Sequence, residues 1–301
     1  KILTRWFKKK KISLRFKNKI VKLFGIKSES QKNLTLYLRQ ETTFLNSLQN
    51  FISKANIENQ KPVIIISTGT KRMGKLKRVN RTMAFAKELS ALKYPVIYIY
   101  YRWGFSDDYD SDYDGEYLLQ LPNDIFHKHT SQIAGQFMSA KKLFLVSIPD
   151  INAVPELNLF RAHNWKIGYE VRDEWSEFHK AGVGNWYDPL YEVYLCNNAD
   201  FVTTVSNRLQ QKMLSMGANS NHLFVVPNGV NNDFIEKTQS IFEEREKGYR
   251  GNGTIGYFGH LTEKWFNWDL VIDTAKKNPH LNFEIIGFDA PKHLHCPKNI
   301  R

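Results

Sequence analysis

Three charged residues stand directly after a predicted strand in the middle of the chain, a position where chemistry is expected. Residues 165–171 have the composition of a buried strand, and Arg172, Asp173 and Glu174 follow at once. Ligands of open parallel sheets bind at the carboxyl ends of the strands. We therefore predict that Arg172 and Asp173 are catalytic. The alternative is structural, because aspartate is a frequent helix N-cap and acidic side chains stabilise the first turn of a helix.

A second candidate is the glycine-containing basic loop after the strand predicted over residues 63–67. Such a loop between a strand and a helix can cradle a phosphate or another anionic substrate at the helix N-terminus. Its spacing fits neither the Walker pattern nor a dinucleotide fingerprint, so an ordinary turn with solvated lysines is the alternative. The predicted ligand-binding residues of this loop are Gly69, Thr70, Lys71, Arg72 and Gly74.

The sequence also predicts a change of sheet near residue 228. Residues 223–226 have the composition of a buried strand, and Pro227 stops it because proline cannot donate a hydrogen bond to a ladder. Asn228 and Gly229 supply the unusual backbone angles of a sharp redirection. We therefore place the passage from one α/β domain to the next at Asn228 and Gly229.

Beyond that turn, residues 254–258 predict the first strand of a second domain, and Gly259 stands at its carboxyl end. A residue without a side chain at this position lets backbone N–H groups approach a phosphate. His260 and Lys264 follow shortly after. This strand end is therefore a further candidate anion site.

Two groups of residues have the composition of metal sites. Closely spaced aspartates, as in the run over residues 107–114, can bind hard cations, but this run follows no EF-hand spacing and a polar loop explains it as well. His293, His295 and Cys296 lack a fourth zinc ligand at a suitable spacing. We therefore predict no metal site.

The elements that must position these residues alternate along the chain. Helices are expected over residues 79–92, 188–198 and 207–216, with Ser206 as the N-cap and Gly217 as the end of the third. Strands that alternate with helices form a parallel sheet wound on both faces. The predicted fold class is therefore α/β, with two Rossmann-like doubly wound domains. The first domain's strands are predicted over residues 63–67, 96–101, 143–148, 165–171, 201–205 and 223–226.

Charge is distributed unevenly over the 301 residues. The net charge of +13 is typical of nucleic-acid binding, but residues 1–32 hold twelve Lys or Arg and one acidic residue. From residue 61 onward the two signs nearly balance. The positive excess thus belongs to an N-terminal segment, and we expect the folded body to bind no nucleic acid.

That segment, Lys1–Lys27, alternates basic with large apolar residues and predicts a basic amphipathic helix. Its apolar face would hold Ile12, Phe16, Ile20, Leu23 and Phe24. A helix of this kind lies on an anionic membrane surface. The alternatives are a helix packed on the protein with a solvated charged face, or an RNA-binding arm. A further helix is predicted over residues 33–60, with an apolar stripe of Leu34, Leu38, Leu45, Leu48 and Ile52.

Cysteine content and apolar run length indicate the compartment. Cys196 and Cys296 are the only cysteines, which provides no disulfide framework and favours a reducing compartment. No apolar run approaches the roughly 18 residues of a membrane span. The start at Lys1 suggests a trimmed chain. We expect a cytoplasmic protein, peripheral at the inner face of the membrane.

Several of these stretches together resemble the two-domain GT-B glycosyltransferases. The stretches are YEVRDEW (residues 169–175), ADFVTTVS (199–206), VVPNGV (225–230) and IGYFGHL (255–261). The closest likeness is to the large retaining family that includes bacterial lipopolysaccharide, capsule and teichoic-type polysaccharide enzymes. The resemblance covers about residues 61–301. It implies an acceptor domain over 61–227 and a nucleotide-sugar domain over 228–301, and the helical segment predicted over 1–60 lies outside it.

The resemblance implies transfer from a nucleotide-sugar donor to a glycan or lipid-linked acceptor, in the cleft between two domains and without a metal or other cofactor. The donor would contact the C-terminal domain, and the loop over residues 69–75 would face the acceptor. Lys264 would offset charge on the leaving nucleoside diphosphate. The implied donor-binding residues are Gly259, His260, Lys264, Asn228 and Gly229.

Three departures from the family pattern stand against this assignment. The family often has Gly-Arg-Leu where this chain has Gly259-His260-Leu261, and Lys-Gly where it has Lys264-Trp265. It often has His-Asp where this chain has Arg172-Asp173. Its two donor-gripping glutamates would lie beyond Phe288, so the second domain is expected to be incomplete. The departures at His260 and Arg172 motivate the alternative of a non-catalytic glycan-binding or partner-supporting subunit.

Overall fold

The computed structural model describes residues 29–58, 61–74, 79–102, 115–139, 141–230, 232–246 and 252–301. The chain divides into two compact units, residues 1–228 (unit 1) and 229–301 (unit 2). The predicted basic helix over 1–27, Lys75 and the aspartate run over 107–114 lie outside the described residues.

Unit 1 is built on a seven-stranded sheet. Its strands are β1 (Val63–Ser67), β2 (Val96–Tyr100), β3 (Leu118–Pro122), β4 (Lys142–Val146), β5 (Lys166–Val171), β6 (Phe201–Thr204) and β7 (Leu223–Val225). Its helices are α1 (Glu29–Glu58), α2 (Arg81–Ala91), α3 (Asn123–Gln136), α4 (Ala153–Ala162), α5 (Trp175–Lys180), α6 (Pro189–Asn198) and α7 (Asn207–Ser215). A short 3₁₀ turn, Ser220–His222, precedes β7.

The strands lie in the order β3-β2-β1-β4-β5-β6-β7, and every pair is parallel. The chain winds outward from β1 to β3 in one direction and from β4 to β7 in the other. The winding direction therefore reverses between β1 and β4. In open parallel sheets this reversal opens a crevice for ligands at the carboxyl ends of the strands.

Both faces of the sheet are buried over β1, β2 and β3, as their apolar sequences require, whereas Phe224 of the edge strand β7 is exposed. In β1, Ile65 packs into one apolar core with α1, α3, α4, α6 and α7, whereas Ile64 and Ile66 pack into a second core with α2. Successive strand residues point to opposite faces, so a strand buried on both sides reads as a continuous apolar run. The α/β, doubly wound fold class predicted for this part of the chain is confirmed.

Helix α1 begins and ends close to the predicted bounds, but its apolar stripe is only partly buried. Leu48 and Ile52 lie in the larger core, whereas Leu34 and Leu38 are exposed, so the predicted stripe is wrong in the first half of the helix. Two residues outside the prediction, Phe44 and Phe51, are buried instead. Only the C-terminal half of α1 thus packs on the sheet.

Residues close together in the sequence predicted some helices and strands correctly but did not predict others. Ser206 caps α7 by accepting from Leu209 N, and Gly217 follows that helix with φ of +97°, a left-handed conformation that favours glycine. Strand β3 and helix α3 were not predicted. Strand β3 reads LLQLP, which has no alternation and ends in proline. Helix α3 follows with Pro122 at its N-cap and no side-chain cap.

Unit 2 contains helix α8 (Asn232–Glu246) and a β-α-β arrangement of β8 (Thr254–His260), α9 (Trp268–Lys277) and β9 (Asn282–Phe288). The two strands pair in parallel over their full length. Leu261, Phe266 and Trp268 form a small core beside them. Strand β8 runs two residues past the predicted end, so Gly259 and His260 belong to the strand.

Within the described residues, no helix combines the length and apolar character that crossing a bilayer requires. That same part of the chain places no three His, Cys, Asp or Glu residues where they could share a metal ion.

Candidate functional site

The loop after β1 is built on threonine hydroxyls at the point where the sheet reverses. Thr70 N donates to Thr68 Oγ1 (2.9 Å), and the two hydroxyl oxygens lie 2.7 Å apart. The Thr70 hydroxyl also hydrogen-bonds Tyr98 OH. A Cβ on Gly69 would lie 2.4 Å from Ile148 Cδ1, so a larger residue there would push Ile148 aside. Glycine thus lets this loop approach the chain that follows β4.

The second half of the loop turns into the protein. Met73 N donates to Gln120 Oε1 (2.8 Å), and Gln120 Nε2 donates to Met73 O (3.3 Å). Arg72 is buried, with its guanidinium 5.9 Å from the centre of the Tyr100 ring. Lys71 is exposed and Gly74 is half-buried. The five predicted acceptor residues therefore face different surroundings.

A pocket of about 420 Å³ opens beside this loop, at the carboxyl ends of β1, β2 and β4. We call it the switch-point pocket. Tyr101 and Trp186 contribute aromatic rings to its lining, and Gly69 is the predicted site residue that lines it. The polar side chains in its lining are Ser67, Thr68, Asn123, His127, Asp150 and Asn152.

His127 and Glu156 form a hydrogen-bonded pair at this pocket. His127 Nδ1 contacts Glu156 Oε1, and Glu156 is buried on α4. Burial lowers the pKa of His127, but the hydrogen bond and charge of Glu156, together with Asp150 and Asp124, raise that pKa above its usual value. The other ring nitrogen of His127, Nε2, lies 3.5 Å from Nδ2 of Asn152, which also lines the pocket.

Asp150 lies in the same wall of the pocket. Its Oδ1 accepts from Asn152 N (2.9 Å) and Ala153 N (3.2 Å), which ties it to the start of α4. Burial raises the pKa of Asp150, and these hydrogen bonds offset part of that effect. The carboxyl group is thus fixed in place beside the pocket.

The segment that carries Trp186 is anchored by a buried charge network. Lys212 Nζ contacts Glu174 Oε1 and lies 3.1 Å from the fully buried Glu192 Oε2. Tyr187 OH donates to the same Glu192 oxygen (2.8 Å). Because Glu174 and Tyr187 flank residues 175–186, these bonds hold both ends of that segment.

Arg172 and Asp173 lie where predicted, just past β5, but outside the lining of the switch-point pocket. Arg172 Nη1 donates to Thr82 Oγ1 (3.2 Å), and its Nε lies 3.7 Å from Asp173 Oδ2. The Arg172 Nε is buried without a hydrogen bond. Burial raises the pKa of Asp173, which Arg172 partly offsets. Asp173 does not cap the next helix, since the N-cap of α5 is Glu174.

Asn228, predicted as a donor-binding residue, is held from within unit 1. Arg81 Nη1 donates to Asn228 Oδ1 (3.3 Å) and to Pro227 O (2.8 Å). Arg81 Nε also contacts the buried Glu170 of β5. Gly229 is the first residue of unit 2. Arg81, which was not predicted as a site residue, therefore holds the predicted turn against the sheet.

The predicted residues of unit 2 lie at the carboxyl end of β8. A Cβ on Gly259 would lie 2.8 Å from Tyr257 OH, and its φ is +156°. The exposed His260 ring packs against Phe288, with 4.0 Å between centroids. Lys264 is exposed in the loop before α9, where it lines a shallow hollow with residues up to Asp269.

Sequence reasoning missed the pair of His127 and Glu156, which lie on different helices 29 positions apart. No local spacing could reveal them. Asp150 carried a usable signal, because it stands two residues after the strand predicted over 143–148, just as Asp173 stands two residues after the strand predicted over 165–171. The sequence around Trp186 carried no signal that this residue would line the pocket.

No family model and no curated protein matches this sequence. Solved structures match with low identity. HepE of Anabaena, in complex with UDP and glucose, is 15% identical with a TM-score of 0.47, over 77% of this chain and 62% of that chain. The α,α-trehalose 6-phosphate synthase of Burkholderia multivorans is 10% identical with a TM-score of 0.48, over 77% of this chain and 64% of that chain.

An Escherichia coli trehalose-6-phosphate structure bound with UDP-2-fluoro glucose is 9% identical with a TM-score of 0.43. It is matched over 78% of this chain and 66% of that chain. The chain thus spans less than two thirds of the length of HepE. These solved structures are GT-B glycosyltransferases, the group that the sequence motifs resemble, and at these TM-scores the similarity assigns no activity to this chain.

Proposed function

We propose that this protein is a glycosyltransferase that moves a sugar from a nucleotide-sugar donor to a glycan or lipid-linked acceptor, in cell-surface polysaccharide or glycoconjugate synthesis. The observation that carries the proposal is the switch-point pocket, a polar hollow at the reversal of a doubly wound sheet. Sheets of this topology bind ligands at that point. The sequence motifs that resemble retaining GT-B enzymes support the same reading.

The pocket suits a sugar by size and by chemistry. Its volume of about 420 Å³ lies in the range of small-molecule sites. Hydroxyl, amide and carboxyl groups in its wall can hydrogen-bond the many hydroxyls of a sugar, which both donate and accept. Trp186 and Tyr101 offer apolar ring surface for the C–H groups of the same ligand. We therefore assign the acceptor to this pocket.

The donor diphosphate is assigned to unit 2. Backbone N–H groups near Gly259 and the cation of Lys264 would meet the phosphates, because anions bind at strand ends and helix N-termini in α/β folds. His260 and Gly229 complete the proposed donor set within unit 2, and Asn228, the last residue of unit 1, is proposed as a further donor-binding residue. We assign no metal and no other cofactor, so excess EDTA should leave the transfer rate unchanged.

Arg172 and Asp173 are proposed as catalytic residues. Arg172 donates to Thr82 and carries a positive charge just past the carboxyl end of β5, where it could stabilise negative charge that develops on a substrate oxygen. Asp173 is partly exposed and could orient a sugar hydroxyl. Retention of anomeric configuration, which the sequence resemblance implies, would be read from the product by NMR.

The test is a thermal-shift screen of nucleotide sugars on the protein in its full natural length. A ligand that binds the folded state raises the melting temperature by mass action. UDP-glucose is the first donor to try, since HepE was crystallised with it. Donors that stabilise the protein are then assayed for transfer to methyl glycosides and lipid-linked sugars.

The alternative, a glycan-binding subunit without transfer activity, is favoured by the presence of Arg172 where the related motif has histidine. It predicts that glycans stabilise the protein while no nucleotide sugar does. Stabilisation by a nucleotide sugar, followed by release of its nucleoside diphosphate, would exclude it. If no nucleotide sugar binds or reacts, the transferase proposal is wrong.

A further inference from the structure

The pair of His127 and Glu156 has the chemistry of a proton acceptor. The ionised carboxylate of Glu156 only accepts hydrogen bonds, so its contact with Nδ1 places the imidazole proton on that nitrogen. Nε2 of the neutral ring then carries a lone pair. His127 lines the switch-point pocket, and there this lone pair faces only a long, 3.5 Å contact from the donor Asn152 Nδ2, which an acceptor hydroxyl can replace.

We infer that His127 is the base that takes the proton from the acceptor hydroxyl bound in the switch-point pocket. The inference rests on the proposed glycosyltransferase function. As the acceptor oxygen bonds to the anomeric carbon of the donor, its O–H bond breaks and the proton passes to Nε2. The bond from the anomeric carbon to the diphosphate breaks, and its electron pair leaves with the nucleoside diphosphate.

Glu156 has two roles in this step. Its hydrogen bond fixes the ring of His127, and its negative charge stabilises the imidazolium that forms. The fixed position of Glu156 on α4, where it is only 6% exposed, strengthens that charge interaction. The imidazolium then returns its proton to solvent. The proton has to leave the acceptor oxygen whichever face of the donor sugar that oxygen approaches.

The same helix offers a matched control. His129 lies two residues further along α3 and pairs with a carboxylate in the same way, with Nε2 2.7 Å from Glu41 Oε1. It does not line the switch-point pocket. A defect that comes from loss of any buried histidine–glutamate pair should thus appear in both variants, whereas loss of the base should appear only at His127.

The experiment compares His127→Gln and His129→Gln in the transfer reaction found by the donor screen. His127→Gln should lower kcat by about 100-fold or more, the usual contribution of a general base, while His129→Gln stays within about twofold of wild type. Melting temperatures of both variants check that they fold. Equal rates for wild type and a folded His127→Gln variant would overturn the inference.

The pH profile separates a base from a merely structural histidine. The groups that face His127 are Glu156 and Asp150 from the α4 side and Asp124 from its own helix, and they raise its pKa. The acid limb of kcat/KM should therefore lie above pH 6.5, the usual histidine pKa. Glu156→Gln removes the main raising contact, so the limb should move to lower pH. An unmoved limb in Glu156→Gln would overturn the inference.

The two proposals can fail separately. If the wild-type protein transfers sugar and the His127→Gln variant is equally active, the base role of His127 is rejected and the glycosyltransferase proposal stands. A wild-type protein that transfers from no nucleotide sugar rejects the transferase, and the inference falls with it.

Discussion

Arg81 and Glu170 form a nearly buried ion pair at the carboxyl edge of the seven-stranded sheet. The two side chains are 9% and 1% exposed. Arg81 also donates to Val226 O (2.7 Å) and Pro227 O (2.8 Å), while Glu170 accepts from Ser147 Oγ (3.0 Å). One arginine thus joins the centre of the sheet to the turn at which the chain leaves unit 1.

Replacing Arg81 with alanine should strongly destabilise unit 1. Glu170 would keep a buried charge without its partner, which costs about 3–5 kcal/mol in comparable cases. Urea unfolding measures the free-energy change. Lys180→Ala is the control, because its exposed pair with Glu177 is worth about 1 kcal/mol at most. Similar losses of stability in the two variants would contradict the prediction that the buried ion pair of Arg81 stabilises unit 1. Adding Glu170→Gln to Arg81→Ala should recover part of the stability.

Gly287→Ala should destabilise unit 2. Gly287 pairs with Gly259 across β8 and β9, and a Cβ there would lie 2.1 Å from the Gly259 carbonyl oxygen. A backbone atom cannot move aside without shifting the strand, so we expect a loss of about 1–3 kcal/mol. Gly256→Ala, in the neighbouring strand β8, is the control because a Cβ there would meet nothing within 4 Å. Thermal unfolding compares the two, and equal stability would refute the steric argument.

Lys264→Ala should weaken nucleoside-diphosphate binding by roughly three- to tenfold, since it removes an exposed cation from the proposed phosphate site. Isothermal titration of UDP into the protein in its full natural length measures the affinity. Lys276→Ala removes an exposed lysine near the end of α9, where it lies 3.9 Å from Asp273. This control should bind UDP as wild type does. Unchanged affinity in Lys264→Ala would remove Lys264 from the donor site.

Deletion of residues 1–27 should abolish binding to anionic vesicles. Each Lys or Arg near anionic headgroups contributes about 1 kcal/mol, and this segment is rich in both. Co-sedimentation with phosphatidylserine-containing vesicles compares the full and shortened chains, with neutral vesicles and high salt as controls. Equal sedimentation of both chains would refute a membrane-binding segment. Salt-dependent RNA binding that disappears with the deletion would instead favour the RNA-binding arm.

Much of the sheet could be predicted because its strands are short apolar runs with clear stops. β1 was predicted over the residues it occupies, since a strand buried on both faces has few polar residues. β5 was predicted within one residue, although it contains Lys166 and the buried Glu170. The missed β3 contains Gln120, a polar residue at a fully buried position. That glutamine is satisfied by the backbone of Met73, a contact that exists only after folding.

The sequence by itself determined the alternation of strands and helices, the turn near Asn228 and the candidate charges past β5, because each depends on residues close together in the chain. Only the tertiary structure decided that His127 and Asp150 line one pocket with Gly69, and that Glu156 pairs with His127. The reversal of strand order between β1 and β4 brings these distant segments to one sheet edge. The spacing of residues along the chain does not predict which strands meet at that edge, because the pairing of strands that are distant in sequence depends on the packing of the whole sheet.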